Sequence, residues 1–134
     1  MYKRQNQESA STIPVRCDEG IVSLRLFDIA YVECIRHVHH FHLTDKTVLV
    51  ANTTRHSFIT AMAPLLKDPR FLATHRSFII NLSYVSRLSA NGAVMCEDSV
   101  IPIAKARYAE VKNRYLAFLA SDEHSPAGSP ADIK

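Results

Sequence analysis

The run Phe71-Leu72-Ala73-Thr74-His75-Arg76-Ser77-Phe78-Ile79-Ile80-Asn81-Leu82 sets an imidazole, a planar cation and a hydroxyl side by side between two apolar segments. Such a set suits contacts to phosphates and base edges; acid/base catalysis would want a carboxylate nearby, and the run holds none. Two further junctions carry similar groups. Arg36-His37 falls between strand-like runs, and Ala104-Lys105-Ala106-Arg107 opens the last helical run. Brought to one edge of the molecule, these junctions would form a row of loops able to enter a DNA groove without a recognition helix.

Other chemistries are less well served. Histidines crowd the stretch Arg36-His37-Val38-His39-His40-Phe41-His42. In a strand, His37 and His39 share one face, while His40 and His42 share the other. One such pair with His75 or Cys34 could start a metal site, but no distal residue completes a known ligand spacing, so no metal and no cofactor are expected. A G-x-S-x-G elbow, a P-loop and an H-E-x-x-H are all missing from the sequence. Glu33, Glu97, Asp98 and Glu110 show no pairing pattern. The chain is therefore read as a protein without chemistry of its own, not an enzyme.

Composition sets the frame. With 134 residues, 47% apolar content, three glycines and six prolines, the chain fits one globular domain. No apolar run nears the roughly 18 residues of a membrane helix, and no signal-peptide pattern opens the chain. Cys17, Cys34 and Cys96 are odd in number and lack C-x-x-C spacing, which points to a reducing, cytoplasmic setting. A net charge of +3 does not by itself imply nucleic acid. Its layout is more telling, because Lys105, Arg107, Lys112 and Arg114 lie close together on a near-neutral body. The competing reading of that cluster is a solvated helix face.

The elements that must position these residues are short. Residues 1–19 are polar and aperiodic and read as a disordered lead-in; 121–134 read as a disordered tail. Met1-Tyr2-Lys3-Arg4-Gln5 matches the translation of a sequencing-library adapter, a scar that would leave an upstream domain off the chain. The domain is expected over 20–120. Ile21–Leu26, Ile29–Ile35, Val38–Leu43 and Thr47–Ala51 read as strands, with Thr44-Asp45-Lys46 as a hairpin turn. Strands packed this densely leave no room for helical crossovers, so the sheet must be antiparallel.

Ser57 to Lys67 changes to helical spacing, with Ser57 as a cap and Pro64 forcing a bend or a restart. Strands resume around the His-Arg-Ser cluster. Tyr84–Leu88 and Ala93–Cys96 form a hairpin around Asn91-Gly92, and Val100–Ile103 follows. From Ala104 to Ala120 a helix is expected, with Tyr108, Val111, Tyr115 and Phe118 on one stripe.

In this order of elements, the string F-x-x-x-H-R-S-F-I-I-N from Phe71 to Asn81 resembles the LytTR-type (LytR/AlgR) DNA-binding domain of bacterial transcription and response regulators. The Asp28–Glu33 segment, the Thr44-Asp45-Lys46 turn and Ile101-Pro102-Ile103-Ala104-Lys105 support the likeness, which covers about residues 20–120. It implies an elongated, mainly β fold of about ten strands in small antiparallel sheets with two short helices. It also implies loops that reach successive major grooves on direct-repeat promoter sites. Carried over by position, Arg36, His37 or His39 lies in the first contact loop. Arg76 takes the base-contacting position, and His75 supports it or touches phosphate. Lys105 stands where the family often has arginine, and Arg107 is the candidate to supply the missing guanidinium. Ala104-Lys105 in place of Ser-Arg is a departure, since lysine cannot make the bidentate fork to guanine.

The partners so implied are double-stranded DNA, a second copy on the DNA, and an upstream receiver domain with its cognate histidine kinase, with no membrane. The alternative is a non-enzymatic all-β module that binds a protein partner or a metal through its histidine cluster. A third reading, RNA binding, would need Phe41 or Tyr84 exposed for stacking on bases.

Overall fold

The computed structural model describes residues 12–52 and 57–121. Among these residues ten strands fall into three antiparallel sheets. The ribbon β1 (Thr12–Cys17) and β2 (Gly20–Arg25) comes first. A five-stranded sheet in the order β5-β4-β3-β7-β6 is built from β3 (Ile29–Ile35), β4 (Val38–Leu43), β5 (Val48–Val50), β6 (Phe71–His75) and β7 (Phe78–Asn81). A three-stranded sheet, ordered β10-β9-β8, holds β8 (Val85–Ser89), β9 (Gly92–Met95) and β10 (Val100–Ile101).

The β1 strand corrects one expectation. Residues 12–17 are an ordered strand rather than part of a disordered lead-in, because Ile13, Val15 and Cys17 alternate with outward residues. Val15 and Cys17 are buried, and Ile13 packs on the core. Pro14 is tolerated because β1 has a ladder neighbour on one side only. The adapter-like first five residues lie outside the described residues.

Within the central sheet β3, β7 and β6 are buried on both faces, which explains their apolar runs, while β5 is largely exposed. Phe71, Ala73 and Ile79 face one core, joined by Phe58, Met62 and Leu65 from the helical segment and Val15 and Leu24 from the ribbon. Leu72 and Ile80, their neighbours in sequence, face the other, joined by Val85, Ala93, Met95 and Ile101 and by Val111 of the last helix. Burying side chains of this size is worth about 1.5–3 kcal/mol each, which makes this sheet the rigid part of the fold.

The helical stretch after Ser57 splits in two. Helix α1 (Phe58–Ala61) is capped by Ser57 Oγ, which accepts from Thr60 N–H at 3.3 Å. It stops at Met62, and α2 (Ala63–Leu66) restarts with Pro64 in its first turn, where a missing N–H is harmless. Of the two outcomes open to Pro64, the restart is what occurs. The last helix, α3 (Tyr108–Ala120), begins later than Ala104, since Lys105–Arg107 form a tighter 3₁₀ turn. Its inward stripe is the expected one, with Val111 buried and Tyr108, Tyr115 and Phe118 half-buried. Among the described residues three helices thus stand where two were expected.

Candidate nucleic-acid interface

The β3–β4 hairpin closes with two residues, because Ile35 pairs with Val38. Arg36 and His37 occupy the loop at φ 51° and 69°, the left-handed pair of a type I′ turn. Such turns favour Asn-Gly, since a side chain at positive φ costs roughly 1–2 kcal/mol. Both residues are exposed. The turn thus holds two long polar side chains at positive φ, as Lys46 and Asp98 do in other turns of the chain.

The β6–β7 hairpin closes just as tightly, with His75 opposite Phe78 and Arg76-Ser77 between them. His75 Nδ1 accepts from Ser77 N–H at 3.2 Å, which puts the proton of the neutral ring on Nε2. The ring meets Phe78 edge-on, centroids 5.9 Å apart. Half-buried, His75 braces the turn from behind while Arg76 projects from it, exposed. The two turns lie at the same end of the sheet, as Cys34 N–H donates to the Ser77 carbonyl at 2.9 Å.

The third junction docks beside the second. Ala104 N–H donates to the Thr74 carbonyl at 2.8 Å, and Thr74 Oγ1 donates to the Pro102 carbonyl at 3.0 Å. Residues 102–107 therefore cover the outer edge of β6 in place of another strand. Lys105 is exposed on that segment. Along one end of the sheet the order is Arg36-His37, then Arg76, then Lys105. None of Arg36, Arg76 and Lys105 has an ion-pair partner among the described residues.

Two candidates stand otherwise than the sequence suggested. His39 is 4% exposed, and its ring packs against Phe58 with centroids 5.2 Å apart. Burial, and secondarily His40, holds its imidazole below the ordinary value, so it is a neutral core group and not a surface contact. Alternation explains the error: with His37 in the turn, the inward face of β4 falls on His39 and Phe41. Arg107 keeps its place beside Lys105 and is half-exposed, but its guanidinium is tied back to β6. Its Nε donates to the Ala73 carbonyl at 3.0 Å, and its Nη2 lies 3.8 Å from Glu110 Oε1.

The histidine cluster is dispersed. His37 is in a turn and His39 in the core, while His42 Nε2 bonds Glu33 Oε1 at 3.0 Å and stacks on Tyr31 at 4.2 Å. No group of three metal-ligating side chains gathers among the described residues. Phe41, the stacking candidate, is 2% exposed, and Tyr84 is half-buried with its hydroxyl on the Thr44 carbonyl. The sequence sets Thr74 at the second junction but does not announce that it staples the third junction to it. Its signal is a hydroxyl closing the apolar run Phe71-Leu72-Ala73.

A family model described as the LytTr DNA-binding domain matches residues 19–116. The chain belongs to the LytTR family. A curated relative, the sensory transduction protein LytT of Bacillus anthracis, is 28% identical over 100 residues, covering 71% of this chain. The match takes in 39% of that relative, so the chain spans well under half its length. Among solved structures, the LytTr DNA-binding domain of a Bacillus cereus protein described as a methyl-accepting/DNA response regulator superposes with a TM-score of 0.61 at 19% identity. That alignment covers 81% of this chain and 98% of the other, and it shows that the two share a fold. No described helix of this LytTR domain is long and apolar enough to cross a membrane.

Proposed function

We propose that this LytTR domain binds double-stranded DNA sequence-specifically, as the output domain of a bacterial transcriptional regulator. The observation that carries the reading is the row Arg36-His37, Arg76 and Lys105 at one end of the central sheet, tied together by the Cys34–Ser77 and Ala104–Thr74 bonds. With strands about 4.8 Å apart, the row extends on the order of 17 Å before side-chain reach is added. A row of that length straddles a minor groove of about 6 Å and sends its two ends into the flanking major grooves. In this reading Arg76 reads a base edge, with guanine O6/N7 the best match, and His75 orients its turn. Arg36, His37 and Lys105 contact bases or phosphates on either side.

The partners of this reading are direct-repeat promoter DNA, a second copy on the adjacent repeat, and a phosphorylated receiver domain with its histidine kinase, all in the cytoplasm. Titration of fluorescent duplexes from the gene's own upstream region, at two salt concentrations, tests it. Specific binding must exceed binding to shuffled duplex and weaken steeply with salt. Equal affinity for both duplexes contradicts the proposal.

A further inference from the structure

Arg107 offers a second kind of role. Consecutive carbonyls of a regular strand point to opposite sides, so a neighbouring segment can meet only every other one. Here the Ala73 and Thr74 carbonyls, adjacent in sequence, are both taken by the 104–107 segment, the first by Arg107 Nε at 3.0 Å and the second by Ala104 N–H at 2.8 Å. The register shift between Ala73 and His75 in the β6–β7 pairing makes this possible. A bulge of this kind turns the strand and re-aims the residues after it. The residues after it are His75 and Arg76. Thr74, 0% exposed, adds its hydroxyl bond to the Pro102 carbonyl from the other side.

We infer that Arg107 is a positioning residue of the DNA-reading surface: its guanidinium clamps the β6 bulge and so fixes where Arg76 stands relative to Lys105. The inference rests on the proposed DNA-binding function and assigns Arg107 a task other than touching DNA. Lysine cannot replace it, because a single ammonium on a flexible stem lacks the planar fork that holds a carbonyl with one nitrogen while another faces Glu110. Thr74 belongs to the same clamp and, being buried, cannot reach a duplex.

The test uses the full chain, Arg107→Lys, Arg107→Ala and Thr74→Val, and a duplex enriched by this protein from a random pool. All three variants are expected to lose about tenfold or more in affinity for that duplex while keeping their affinity for a shuffled one, with the slope of log K against log salt unchanged. The result that overturns the clamp is retained affinity in Arg107→Lys together with loss on both duplexes and a slope shallower by about 0.9 in Arg107→Ala, the signature of a phosphate contact. Amide exchange of Ala104 in the free protein gives a readout without DNA. Faster exchange in Arg107→Lys and Thr74→Val, at temperatures where both stay folded, supports the clamp. Unchanged exchange overturns it. If the wild-type protein prefers no duplex, the functional proposal fails while the exchange result still decides the clamp.

Discussion

The two ends of the central sheet are built on opposite terms. At the end where β7 stops, polar groups answer one another. Asn81 is 1% exposed, its Nδ2 donates to the Ile29 carbonyl at 2.8 Å, and its Oδ1 accepts from Ser83 N–H at 2.9 Å. The β4–β5 turn there is held by Asp45 Oδ1, which accepts from Thr47 N–H at 2.9 Å and Thr47 Oγ1 at 2.6 Å. At the other end, Arg36 and His37 sit at positive φ, and Arg36, Arg76 and Lys105 lack ion-pair partners among the described residues. The first end is tied by side-chain bonds, with Lys46 exposed there at φ 76°; the second sets three exposed cations side by side, and the proposed recognition lies there.

Substitutions can break that division. The largest effect is expected at the first end. Asn81→Ala strands a buried carbonyl and opens a void, costing about 2–4 kcal/mol of stability in a denaturant melt, while DNA affinity of the folded protein holds. Next comes Arg76→Ala at the second end, which should cost about 1–3 kcal/mol on the specific duplex and leave the melting temperature nearly unchanged. Equal loss on shuffled DNA would instead make Arg76 a phosphate contact.

Replacing Arg36-His37 by Asn-Gly sharpens the comparison, since it should move the two properties in opposite directions. Relief of the strained turn stabilises the domain by about 1 kcal/mol, while binding weakens. A double variant that gains stability and binds as before removes that turn from the interface.

The smallest effect is at His39. Its folded pKa is depressed by burial and by His40, so the unfolded chain binds the proton more readily. Stability from this group is complete above the unfolded value of about 6.5 and is lost as the pH falls through the folded value. His39→Leu should therefore show a melting temperature that rises, relative to wild type, between pH 7 and pH 5. A constant difference would mean that His39 is not held neutral.

Much of this was legible in the sequence, and the rest had physical reasons for hiding. The hairpins around Thr44-Asp45-Lys46 and Asn91-Gly92 followed from turn residues, and the stripe Tyr108, Val111, Tyr115 and Phe118 from its period. The β1 strand was missed because six residues ending at a polar Asp18-Glu19 turn carry too weak an alternation beside an aperiodic start. For His39, the strand face shared with His37 suggested a place in the contact loop, while only the turn at Arg36-His37 fixes which face of β4 points inward. The task of Arg107 depends on a bulge in a strand 34 residues earlier, which no local pattern announces.

The direct test is to titrate the isotopically labelled protein with its enriched duplex and follow backbone amide shifts. The account predicts the large shifts at 35–38, 75–78 and 104–107, with 44–47 and 81–84 unmoved. Shifts concentrated at 44–47 and 81–84, or spread over both ends alike, would contradict it.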